Sequence, residues 1–352
     1  MFDYSGETAS AAKIIPYRLV FKRPAGTSRG ILYHKDTWFL IIEKNGRKGV
    51  GEVAMFRGLS AEEHKGFEEK LQWLEKNIFL PAEIIFKELQ GFPSIIFGLE
   101  QALLSLHSDE PFLLFPSAFT QGEQGIPING LIWMGDKDFM LRQIDEKIRE
   151  GFGVIKMKIG AIDFETELEI LAYIRQHYGH KDLEIRVDAN GAFSPAEALE
   201  KLERLAEFDV HSIEQPIRPG QWEEMARLCE LSPVPVALDE ELIGYTGDKR
   251  RLLEVIRPRY IILKPSLHGG MSGSDDWITA AEKTGAGWWI TSALESNVGL
   301  NAIAQYTWFK GVNRPQGLGT GGLFTNNIAS PLEVSGGALH YRPERQWQFP
   351  WL

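Results

Sequence analysis

The chain of 352 residues has one cysteine, Cys229. No disulfide can form within it, which suits a reducing compartment. Cys229 falls in the helical pattern WEEMARLCEL and reads as a buried structural thiol. Long apolar runs are also missing. The longest, such as WFLII at 38–42, fall far short of the roughly 20 residues that cross a bilayer. The first residues, MFDYSGETASAAKIIPY, hold no basic stretch followed by an apolar one, so no secretory signal is expected. Positive charge is in deficit: 38 Lys and Arg stand against 48 Asp and Glu, a net charge of −10. That balance argues against a nucleic-acid backbone as partner. These absences predict a soluble cytoplasmic protein with a small-molecule substrate and neither nucleic acid nor membrane as partner. Nothing in the residues fixes an oligomeric state.

At 43% hydrophobic residues the chain has ample material for a large core. Its organisation changes along its length. IIPYRLVFK (14–22) and TWFLIIEKNGRKGVGEVA (37–54) read as strands, with Asn45-Gly46 as a hairpin turn. Helical patterns follow at 60–78 and 93–108. Strands then helices without alternation predict a small α+β domain over 1–125. A Pro/Gly/Ser-rich stretch at 111–130 reads as the linker. From Ile126 the pattern alternates: eight strand-like runs, the last of them PQGLGTGGLF (315–324), are separated by seven helical segments. This predicts an α/β fold, a barrel over 126–324 that lacks its last helix. The tail, 325–352, is expected to pack back on the first domain.

Five charged residues fall at nearly even steps through the alternating region. Lys158, Asp188, Glu214, Asp239 and Lys264 lie 30, 26, 25 and 25 residues apart. Each closes an apolar, β-branched run, so each is placed at a strand end facing one barrel mouth. Strand alternation puts Lys156 on the same side as Lys158 and pairs Asp188 with Asn190. It also favours Asp239 over Glu240 as the inward acid, leaving Glu240 as a neighbour of a lysine. Three carboxylates without His or Cys suit a hard cation, Mg²⁺ first and Mn²⁺ next. A lysine beside a metal and another cation is expected to have its pKa lowered toward the range of a base. The combination suits proton abstraction α to a carboxylate, through an enediolate. An alternative for each acid alone is an ion pair with a neighbouring base. Ser292 and Glu295, in TSALES at the seventh strand end, are expected to face the pocket. GLGTGG (317–322) is no dinucleotide fingerprint, since no helix pattern follows it. Its backbone N–H groups are placed to hold a substrate carboxylate or to form an ordinary turn. His268 reads as a loop histidine and His211 as structural.

The order KMK, RVDANG, IEQP, ALDE, ILKP over strands two to six resembles the enolase superfamily, in its muconate-lactonizing-enzyme-like subgroup. The handedness of roles that this family uses is a Lys or His base with Mg²⁺. The resemblance covers the whole chain and implies a (β/α)7β modified TIM barrel with an N-terminal α+β capping domain. It implies Asp188, Glu214 and Asp239 as Mg²⁺ ligands, Lys158 as the second lysine of a K-x-K pair and Lys264 as its opposite number. Lys264, in place of a His-Asp dyad, argues against the mandelate-racemase subgroup. Gly319 stands where the family often has an acid. The segments 21–30 and 54–60 are expected to be cap loops closing over substrate. Two activities are implied: a lyase removing water, by syn elimination, from a cyclohexadiene carboxylate bearing a succinyl group, and an isomerase acting on a dipeptide or N-acyl amino acid. A barrel kept only as a binding module is the reading that the intact residue set disfavours.

Overall fold

The computed structural model of the chain describes residues 4–27, 30–311 and 314–352. It begins with an antiparallel sheet of β1 (Ala11–Thr27), β2 (Gly30–Lys44) and β3 (Arg47–Val53). Asn45 and Gly46 join β2 to β3 with φ of 52° and 77°, the positive values that a two-residue hairpin needs. The unbroken run WFLII has its reason here. Trp38, Leu40 and Ile42 pack on the helices α1 (Phe67–Asn77), α2 (Ala82–Glu88) and α3 (Pro93–His107). Phe39 and Ile41, on the other face, pack with Val298 and Phe349. A strand covered on both faces loses its polar alternation.

After β4 (Ile126–Pro127) come seven parallel strands, neighbours in space as in sequence: β5 (Gly130–Ile132), β6 (Val154–Lys158), β7 (Glu184–Asp188), β8 (Val210–Glu214), β9 (Val236–Leu238), β10 (Tyr260–Leu263) and β11 (Gly287–Ile290). Helices α4 (Lys137–Arg149), α5 (Phe164–His177), α6 (Pro195–Ala206), α7 (Trp222–Leu231) and α8 (Lys249–Ile256) connect them. The short α9 (Pro265–His268) precedes α10 (Gly270–Thr284), and α11 (Asn297–Phe309) follows β11. Gln316 and Gly317 close the ring, bridging in parallel to Ile128 and Thr291. The architecture is therefore (β/α)7β. Helix starts are set locally: Asp136, Asp163 and Asp248 each accept a first-turn N–H, and Ser194 with Glu197 forms a capping box. Ile155, Met157, Ile185, Val187, Ile213, Ile261 and Leu263 join the core between strands and helices. The alternating positions turn inward.

Several expectations are corrected. The expected cap loop at 21–30 is strand over 21–27. β1 runs on to Thr27 and pairs with β2 after a bulge between Val20 and Ala25; Ser28 and Arg29 lie outside the described residues. The helix expected from residue 60 starts at Phe67, after Gly66 at φ 69°; Ser60 instead takes the Phe56 N–H (2.9 Å) and Glu62 that of Ser94 (3.0 Å). α2 was not anticipated, because AEIIFKE is too short to show a period. The Pro-rich stretch after residue 110 is pinned to the barrel: Gln305 accepts from the N–H groups of Leu114 and Phe115 and, with Asn301, donates to the Phe112 carbonyl. The eighth strand shrinks to the bridge at 316–317. In the tail, β12 (Leu332–Ser335) and β13 (Ala338–Tyr341) form a hairpin that pairs with β4. Phe349 and Trp351 pack edge-on and tilted around Phe39 of the first sheet, and Trp347 stacks on Phe112.

One joint between α3 and the barrel has a pH signature. Glu100 is fully buried and accepts from the N–H groups of Met271 (2.5 Å) and Ser272 (3.2 Å), capping α10. A Cβ on Gly270 (φ 81°) would lie 2.1 Å from its Oε2, so glycine is required there. Burial pushes the Glu100 carboxyl up from 4.5 to about 7, against hydrogen bonds that lower it. Between those values the folded protein keeps a proton that the unfolded chain releases. The group's contribution to stability therefore falls as pH rises, by about 1.4 kcal/mol per pH unit. Glu100→Gln should remove that slope. Urea unfolding at pH 5 and pH 7 is expected to show the wild type gaining on the variant at the lower pH; an equal difference at both would contradict the assignment.

Candidate active site

The strand register sets the charged row. Lys158, Asp188, Glu214 and Ala237 are cross-strand partners on β6 to β9, with Lys156, Arg186 and Ser212 one layer below. Lys156 Nζ lies 2.8 Å from Asp188 Oδ2 and 2.6 Å from Glu214 Oε2. Lys158 Nζ lies 2.5 Å from the same Asp188 oxygen and 2.8 Å from Asn190 Oδ1. Lys264, just after β10, is paired with Asp239, just after the adjacent β9. Asn190 (φ 44°) turns back over Asp188 and donates to Glu240 Oε1 at 2.9 Å. Glu240 reaches the mouth beside Asp239 because the chain bends into a 3₁₀ turn immediately after β9.

The acids form the floor. Asp188, Glu214 and Asp239 are buried, and Lys156, Lys158 and Lys264 line a cavity of about 510 Å³. Burial opposes ionisation of Asp188, but Lys156 and Lys158 outweigh it and hold the carboxyl well below the usual range. Lys264 does the same for Asp239. Burial and the Asp188 charge push Glu214 well above its ordinary value. Burial works against the charge on Lys156 and Lys264, yet the neighbouring acids raise both.

Among the described residues no three His, Cys, Asp or Glu side chains converge closely enough to hold an ion as they stand. Lysine ammonium groups occupy the space between the acids. The residues nevertheless fit a hard cation in kind. All the donors are carboxylate oxygens, and Glu214 Oε1 and Asp239 Oδ1 are buried without a hydrogen-bond partner. Such oxygens are costly unless something positive meets them.

The remaining candidates divide. Asn190, Ser292 and Gly319 line the cavity. Glu295 does not. It is fully buried behind Ser292, and its oxygens are spent on Ser266 Oγ (2.5 Å), Ser292 Oγ (2.6 Å) and the Ala293 N–H (2.7 Å). His268 is buried in α9, where Nδ1 accepts the Lys264 N–H at 3.1 Å and burial lowers its pKa to about 3; it is no loop residue. His211 stacks on Tyr260 at the opposite end of the barrel strands. Cys229 is half-buried, with burial pushing its thiol up to about 12. Gln215 had no assigned role in the sequence reading. Its Oε1 accepts from the N–H groups of Asp239 and Glu241, both at 3.2 Å, fixing the turn that carries Asp239 and Glu240. Its signal was its place after Glu214 and before Pro216. Thr320, which meets Ser292 at 2.7 Å on the cavity wall, also went unassigned. Phe21, Ala25, Phe56 and Leu59 cover the cavity from the N-terminal part, and Lys22, Arg23 and Lys147 ring it with Glu146.

A parallel barrel with lysines facing each other over buried acids at its C-terminal strand ends defines the class. The Enolase C-terminal domain-like family matches residues 140–342, and the chain belongs to the enolase superfamily. It is 48% identical to the o-succinylbenzoate synthase of Desulfotalea psychrophila, over 91% of this chain and 96% of that one. The crystal structure of MenC from the same organism superposes with a TM-score of 0.84 at 44% identity, covering 95% of this chain and all of the other. The L-Ala-D/L-Glu epimerase of Bacillus subtilis shares the fold at 18% identity, TM-score 0.80, over 95% of this chain and 96% of its own.

The charge balance of the floor makes a test. Lys156→Met leaves Asp188 and Glu214 buried without their shared partner. Urea unfolding at neutral pH is expected to show a loss of about 3–5 kcal/mol. A loss below about 1 kcal/mol would mean that the ion pairs do not compensate the acids.

Proposed function

We propose that this chain catalyses the o-succinylbenzoate synthase reaction. It is a lyase of the enolase superfamily, removing water from 2-succinyl-6-hydroxy-2,4-cyclohexadiene-1-carboxylate in cytoplasmic menaquinone biosynthesis. The observation that carries this reading is the 48% identity, over nearly the whole of both chains, to the Desulfotalea psychrophila synthase. The cavity agrees with it: Lys156, Lys158 and Lys264 line it, and Lys22, Arg23 and Lys147 on its rim suit a substrate with two carboxylates.

In this reading Lys158 takes the proton α to the ring carboxylate. Once protonated, it gives that proton to the departing hydroxyl, so one side chain serves both halves of a syn elimination. Lys156 from below and Lys264 from the opposite side hold the negative charge that develops on the carboxylate. Asn190, bonded to both Lys158 and Glu240, keeps the base aimed. Ser292 and Gly319 shape the wall against which the substrate lies. Asp188, Glu214 and Asp239 would hold Mg²⁺, with Mn²⁺ as substitute. When bound, the cation supplies positive charge to the substrate carboxylate and competes with the lysines for the acids.

Conversion is read directly in the ultraviolet, as the diene gives way to an aromatic product. The wild type is expected to produce that band, to lose activity in EDTA and to regain it with Mg²⁺. Folded protein that yields no aromatic product would overturn the reaction, and activity unchanged by chelation would overturn the metal assignment. The placement of Lys158 and Lys264 on opposite sides of one site also permits proton return from the far face, as an epimerase requires. Dipeptides and N-succinylamino acids incubated in D₂O are expected to gain α-deuterium more slowly than the diene is dehydrated. The reverse order would favour the isomerase.

A further inference from the structure

Leu294 lines the cavity with φ of 63°. A bulky non-glycine residue in the left-handed region costs of order 1 kcal/mol and persists only where its surroundings fix it. The segment around it is fixed from three sides. Ser266, two residues beyond Lys264, donates to Glu295 Oε1 (2.5 Å). Ser292 Oγ and the Ala293 N–H donate to Glu295 Oε2, and Leu294 N–H donates to Ser292 Oγ at 3.1 Å. The third hold comes from the N-terminal sheet. Glu52 of β3, fully buried, accepts four hydrogen bonds: from Thr37 Oγ1 (2.7 Å), Ser296 N–H (2.9 Å), Ser296 Oγ (2.5 Å) and Gly299 N–H (2.8 Å). A Cβ on Gly299 would lie 2.9 Å from Glu52 Oε2 and 2.9 Å from the Glu295 Cβ, so the first turn of α11 is seated directly on the carboxylate. Lys35 of β2 is buried close by without a hydrogen-bond partner. Burial lowers its pKa, against the opposing pull of Glu52 and Glu295.

We infer that Glu52, which does not itself line the cavity, is a positioning residue: it locks residues 292–296 in the strained turn that presents Ser292 and Leu294 to the substrate. The lock also joins the N-terminal sheet to the barrel at the site itself. Ser292 donates to Glu295 and accepts from Leu294 N–H, so it cannot turn freely and meets the substrate in one orientation, set by Glu295 and ultimately by Glu52.

The test uses Glu52→Gln, whose amide faces donors with donors, together with Ser292→Ala and the double variant. Amide hydrogen exchange of 292–299 in Glu52→Gln is expected to speed up about tenfold, while β6 to β8 keep their protection. This arm does not depend on which substrate the enzyme turns over. The turnover arm rests on the synthase reading. There the KM for the diene carboxylate should rise about tenfold with kcat within about threefold, and the double variant should be no worse than the poorer single one. A merely structural loss would lower kcat through the folded fraction and leave KM alone. Unchanged exchange at 292–299, an unchanged KM, or additive effects in the double variant would each overturn the inference. Inactive wild type with accelerated exchange would sink the substrate and leave the lock standing. If Glu52→Gln does not fold, Ser296→Ala removes one of the same hydrogen bonds, and the same readouts apply.

Discussion

The structure depends on one balance of charge, lysine against carboxylate at the barrel mouth. Asp188, Glu214 and Asp239 are buried where isolated ions would be prohibitively unstable. Lys156, Lys158 and Lys264 make them tolerable, and the strand register brings the groups together: Lys158, Asp188 and Glu214 are direct neighbours on adjacent strands. Balanced ion pairs of this kind contribute little net stability compared with apolar packing. Their retention in the middle of a well-packed barrel is explained by chemistry rather than by folding. The same acids that favour the charge on Lys156 and Lys264 form an all-oxygen donor set with two unpartnered oxygens.

The N-terminal sheet and helices do more than cover the mouth. Two of their buried acids end on barrel helices: Glu100 on α10 and Glu52 on α11. Each satisfies helix N–H groups that otherwise lack partners. The two helices follow the strands bearing Lys264 and the Ser292 turn. Docking of the cap is thereby connected to the geometry of the site through short, buried hydrogen bonds, as well as through the apolar contacts of Phe21, Phe56, Leu267 and Leu294.

The barrel and its charged row were legible because alternation and spacing are backbone properties. A strand of period two that ends in a charged residue, repeated every 25 residues or so, places the charge without knowledge of anything else in the fold. Asp239 and Glu240 show the limit. Parity separated them, but the 3₁₀ turn after β9 brings Glu240 to the cavity as well. Glu295 was misjudged because its strand-end position resembles that of Asp188 and Glu214, while its surroundings are decided by donors from Ser266 and Ser292 that only the fold supplies. The strand through 21–27 was hidden by Pro24 and Gly26, turn-forming residues that here sit at and beyond a bulge. Gln215 and Glu52 act through hydrogen bonds to residues 24 and 244 positions away. No local pattern carries that information.

We propose that the row of charges is a proton-transfer device with Lys158 as its base. The most direct measurement is the steady-state turnover of the diene carboxylate by Lys158→Ala, with folding checked by circular dichroism. Loss of a general base predicts a fall in kcat of about 10²–10⁴-fold, with aromatic product still formed at full rate by the wild type under the same conditions. A folded Lys158→Ala that turns over the substrate at the wild-type rate would contradict the claim.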